Sequence, residues 1–139
     1  MLRVILGVGA GLTVAMILIA AIEAVTGLWF QLPANFEAMD RVDQAQAMAA
    51  MPSAAKRIIV IGWALGAALG AYLAMGIARS GSAAWTVGGL VAISGIINVV
   101  MLPHPFWMQL AAVWAPLLGC WTVARLARAT GRSPQADPA

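Results

Sequence analysis

Few side chains in this chain could do chemistry in an apolar setting. They are Glu23, the Lys56/Arg57 pair, Asn98 and His104. Glu23 is the only acid inside an apolar block, and a carboxylate there is costly to keep charged unless a cation, a hydrogen-bond donor or a proton meets it. His104 is the only histidine and stands between two prolines in "NVVMLPHPFWMQL", residues 98–110, with Asn98 just over one helical turn before that corner. Such a set supports two kinds of role. The groups can pair with one another and pin helices in register, Glu23 with Arg57 or His104 and Asn98 with backbone freed around Pro103. Alternatively they hold a proton or a cation, with Glu23 as the coupling carboxylate.

Catalysis and metal chemistry are less well supplied. One histidine gives no Ser-His-Asp set and no zinc spacing, so no catalytic residue is assigned. Met101, Met108 and His104 have the soft and imidazole donors that suit Cu(I), but 8 methionines in a greasy chain meet by chance, and no metal or cofactor is expected. "GVGAGL" in the first block lacks the third glycine of a dinucleotide fingerprint, having Leu12 there, and has no strand before it. Gly7 and Gly11 form instead a small-xxx-small pair for close helix approach.

The elements that must position these residues follow from hydrophobicity. The 139 residues are 63% hydrophobic and only 9% charged, with mean hydropathy +0.90, which excludes an ordinary soluble globular domain. The net charge of +3 comes from arginines at the ends of apolar blocks rather than along one solvated face. Nucleic acid is therefore not an expected partner. Four blocks are long enough to cross a bilayer, at about 4–30, 58–78, 83–102 and 106–124. The first is read as a retained helix, because 4–22 exceeds a usual signal h-region and "AAIEAVTG" offers no clean cleavage site.

The fold class expected is all-α, an integral membrane four-helix bundle over residues 1–124, with a disordered cytoplasmic tail at 125–139. Arg3, Arg79, Arg125, Arg128 and Arg132 lie on one side of the spans, whereas Arg41, Lys56 and Arg57 on the other are balanced by Glu37, Asp40 and Asp43. The positive-inside rule then places both termini in the cytoplasm. Trp29, Trp63 and Trp107 would mark the outer interface, and Trp85 and Trp121 the inner one. The outer loop contains an amphipathic stretch at 36–51 with Asn35 as N-cap and Phe36, Met39, Val42, Ala45 and Ala49 on one face, predicting a helix on the surface or over the bundle mouth.

Gly62, Gly66 and Gly70 recur at intervals of four in "GWALGAALG" and give the second span a flat packing face. Gly88, Gly89 and Gly95 suit the third span to meet that seam. Trp107, Trp114 and Trp121 line one face of the fourth span, where Pro116 should leave a carbonyl free near Ala112. Cys120 reads as a small packing residue.

Glu23 in the first helix, "GWALGAALGAYLA" in the second and "GIINVVMLPHPFW" at the third corner resemble a group of small, uncharacterised bacterial four-span membrane proteins, matching at Glu23, Trp63, Gly66, Gly70, Asn98, Pro103, His104, Pro105 and Trp107. The resemblance implies the four-span fold and a bacterial inner membrane, and brings no function with it. A structural or accessory membrane component, non-enzymatic and in contact with lipid and with a protein partner or a second copy of itself, is the first expectation. A small proton- or cation-coupled transporter or binder using Glu23 is the alternative.

Overall fold

The computed structural model describes residues 1–130; the tail expected to be disordered falls largely on 131–139, outside the described residues. Four helices are long and apolar enough to cross a membrane: α1 (Leu2–Trp29), α3 (Ser53–Ala78), α4 (Gly81–Met101) and α5 (Phe106–Ala129). The chain is an all-α membrane protein. α3 begins five residues before the apolar block, because Pro52 and Ser53 open the helix ahead of the charged pair. α5 runs five residues beyond the expected end, so Arg125 and Arg128 are helical rather than part of a tail.

Between α1 and α3, the expected single helix at 36–51 is two pieces. A 3-10 turn spans Phe36–Ala38, and α2 spans Arg41–Ala50. Asp40, not Asn35, is the working N-cap: its Oδ1 accepts from the amides of Val42 and Asp43 at 2.8 and 2.9 Å. The break moves the buried face. Phe36 and Met48 are buried, whereas Val42, placed on the apolar face by helical spacing, is exposed.

α3 lies at the centre, touching α1, α4 and α5, while no Cα of α1 comes within 8 Å of α5 among the described residues. The glycine face of α3 receives α1. A Cβ on Gly66 would stand 2.9 Å from the Ala15 carbonyl oxygen, one on Gly62 2.9 Å from Ile22, and one on Gly7 2.8 Å from the Ala74 carbonyl oxygen. Gly11 and Gly70 meet backbone to backbone. With no hydrophobic effect between helices in lipid, this close approach is what dispersion requires.

α4 does not use Gly88 and Gly95 on that seam as expected. Both face α5, Gly88 against Cys120 and Gly95 against Ala112, where a Cβ would stand 2.7 Å from the carbonyl oxygen. Ala112 is the residue whose carbonyl Pro116 deprives of its i+4 amide, so Gly95 makes room for the oxygen that the proline releases. Trp107, Trp114 and Trp121 are all exposed on the outside of α5.

Candidate functional site

One end of the bundle gathers the C-termini of α1 and α4, the N-termini of α3 and α5, and α2. Each polar residue singled out above has a definite place there. Glu23 is just under two turns from the end of α1 and half-buried. Its Oε1 accepts a hydrogen bond from Trp63 Nε1 at 2.9 Å. The partner expected for it was Arg57 or His104, but Arg57 is exposed and outside the cluster. Trp63, assigned to an interfacial belt by its depth, is only 6% exposed and supplies the donor instead.

His104 also packs against that indole. The two rings meet edge to face, with centroids 6.3 Å apart and an interplanar angle of 62°. Trp63 thus contacts both Glu23 and His104, and these two line the same cavity. The corner that carries His104 is tightly tied. Pro103 has no amide, and the Leu102 carbonyl takes both the His104 amide at 2.9 Å and its ring Nδ1 at 3.0 Å. Gln109 Nε2 donates to the His104 carbonyl at 2.8 Å. These bonds fix the imidazole, which is 8% exposed, without using it for Glu23.

The Asn98 side chain does not bond to backbone around Pro103. Its Oδ1 is buried and has no hydrogen-bond partner. An orphan acceptor of this kind costs about 1–3 kcal/mol relative to a satisfied one, so its position is informative. Lys56 is 7% exposed, and its Nζ donates to the Ala49 carbonyl at 2.9 Å. Although it is at the expected level, it serves α2 rather than Glu23.

Two neighbouring spaces lie at this end. A cavity of about 330 Å³ is lined by Glu23, Thr26, Met48, Asn98 and His104, among others. A narrower slot of about 90 Å³ runs deeper and is lined by Met16, Glu23, Trp63, Val91, Asn98 and Pro116, among others. Glu23 and Asn98 line both, so the two acceptors stand at the junction of the two linings.

α2 borders the larger cavity through Met48. Arg41 donates to the Val100 carbonyl and, at 3.3 Å, to the Met101 carbonyl, both in the last turn of α4, where a cation complements the helix dipole. Lys56 holds the Ala49 carbonyl near the other end of α2. Sequence reasoning missed Arg41, whose carbonyl partners no side-chain pattern shows. It missed Trp63 as a donor although "GWALG" had drawn attention to that residue. Among the described residues, no group of three His, Cys, Asp or Glu could hold a metal ion. No family model, curated protein or solved structure matches the chain.

Proposed function

We propose that this membrane protein binds a small cationic ligand, with Glu23 as its charge partner, in the cavity beneath α2. The observation that carries the reading is the set of unused acceptors at that cavity. Glu23 takes one side-chain hydrogen bond, at one carboxylate oxygen, and Asn98 Oδ1 takes none. A volume of about 330 Å³ is at the small end for ligand pockets, which run from about 300 to 1,000 Å³. The role is binding or transport rather than catalysis, since His104 Nδ1 is spent on its own turn. Following the arginine distribution, we place both termini in the cytoplasm of a bacterial inner membrane.

The test is Glu23→Gln in purified protein and in liposomes. The wild type should be stabilised by methylammonium and should conduct or exchange it in a pH-dependent way, and the variant should remain folded and lose both properties. A variant that melts lower while the wild type shows neither binding nor flux points to a structural glutamate.

A second reading, a structural or accessory component with a membrane-protein partner or a second copy of itself, draws on the other half of the bundle. There Ala67, Ala71, Ala74, Ala83, Ala84 and Val87 have no exposed surface, a packing suited to a rigid scaffold. Under that reading, purification from the native membrane in mild detergent retains a stoichiometric partner.

A further inference from the structure

The slot that runs down from Glu23 has no role in holding a small cation, yet it shares that residue and Asn98 with the larger cavity. Below the junction its walls are largely apolar: Met16 and Ile19 from α1, Val91 and Gly95 from α4, and Ala112 and Pro116 from α5. From Glu23 to Met16 is seven residues of helix, about 10 Å. Its volume of about 90 Å³ suits one slim chain and nothing broader, and a chain longer than the slot runs on past the exposed side of Met16.

The slot also has a way out. α1 and α4 are in contact near Gly11, where a Cβ would lie 3.2 Å from Val87, and toward the α2 end the slot and the cavity lie between them. Met16 lines the slot and is 42% exposed on the bundle surface, a surface that faces lipid. On the α2 side the cavity is bordered by Met48 and Met51, and α2 is held there through Arg41 and Lys56.

We infer that the ligand is a single-chain primary alkylammonium that enters from the bilayer between α1 and α4, its tail in the slot and its ammonium at Glu23 and Asn98. This rests on the proposal that Glu23 binds a cation and specifies which cation. A primary ammonium has three N–H donors and no acceptor, matching two oxygen acceptors that lack donors. A quaternary head could neutralise Glu23 but would leave Asn98 Oδ1 unsatisfied. An apolar tail in the slot meets Val91 and Ile19, and the one hydroxyl among the lining residues, Ser94 Oγ, already donates to the Leu90 carbonyl of its own helix at 3.0 Å.

The test uses the full chain in lipid nanodiscs, with methylammonium and n-octylammonium as probes and Glu23→Gln nanodiscs as the blank for partitioning into lipid. Ser94 of α4 also lines the slot, so Ser94→Leu fills it from that helix, and Met16→Phe narrows its mouth from the exposed side of α1. Ser94→Leu should weaken Glu23-dependent octylammonium binding at least tenfold and leave methylammonium binding unchanged. Met16→Phe should slow octylammonium association more than it changes affinity. If both variants bind octylammonium as the wild type does, the tail does not occupy the slot and this inference fails, while cation binding at Glu23 stands. Loss of any Glu23 dependence, for both probes, removes the cation site and the inference together.

Discussion

Glu23 and Trp63 form the one side-chain hydrogen bond between α1 and α3, and its worth can be measured. Trp63→Phe keeps a ring against His104 and removes the donor. It should cost about 1 kcal/mol, the scale of interhelical hydrogen bonds in membranes. Glu23→Gln should cost less in the Trp63→Phe background than in the wild type, because the two side chains share one interaction; a double-mutant cycle in a reversible unfolding assay reads that coupling. Additive effects would show that the indole holds its place by packing alone. At the other end of the chemistry scale stands Cys120, fully buried and against Gly88. Its Sγ donates weakly to the Ala67 carbonyl at 3.6 Å, as the packing role expected for it requires. Arg79 shows a cost of a different kind. It ends α3 with φ of 52°, a conformation that costs a non-glycine residue roughly 1–2 kcal/mol. Arg79→Gly should therefore raise the melting temperature, even as it removes a charge from that end of the bundle.

At the scale of elements, glycines of similar appearance in sequence divide into two sorts. Gly66 has the Ala15 carbonyl and Ile19 against it, whereas Gly9 and Gly76 have nothing within 4 Å of a Cβ. Gly66→Val should destabilise the bundle by about 1–3 kcal/mol through overpacking. Gly9→Ala should be neutral or stabilising by up to about 1 kcal/mol through helix propensity. Chemical denaturation of both variants checks the contrast, and equal effects would contradict the seam. The small-residue face at Gly62, Gly66 and Gly70 was legible in sequence because its spacing of four is a property of one helix. Which helix it receives was not legible, since α1 and α4 both offer small residues and only packing chooses between them. The same limit hid Trp63. Depth along a helix can be counted from sequence, and by depth it fits an interfacial belt, but the direction in which a side chain points depends on the neighbouring helix. The outer-loop helix was legible as an apolar pattern at 36–51, and its start was not, because Asn35 and Asp40 are both good caps and tertiary contact decides between them.

For the whole molecule, the four spans were legible because hydrophobic length is a sum over many residues and no single contact decides it. The convergence of Glu23, Asn98, Lys56 and His104 on one end followed from counting along the same spans, while Arg57 turned outward because neighbours on α3 point about 100° apart. A glycosylation or phosphatase reporter fused after Thr130 and in the α2 segment tests which end faces which compartment; the expected result is opposite compartments, with the C-terminal fusion cytoplasmic.

No Cα of α2 lies within 8 Å of any Cα in α1, α3, α4 or α5, so α2 is joined to the bundle by side chains, chiefly Arg41, Lys56 and Met48. Its local unfolding is then governed by a handful of contacts, whereas unfolding of α3 requires the backbone seams to part. Hydrogen exchange should show two separate protection classes, α2 exchanging early and α3 last, and Arg41→Ala should speed the first without moving the second. A chain with that ladder of stabilities can withdraw Met48 from the cavity wall at the cost of one short helix, and keeps every span in place while it does so.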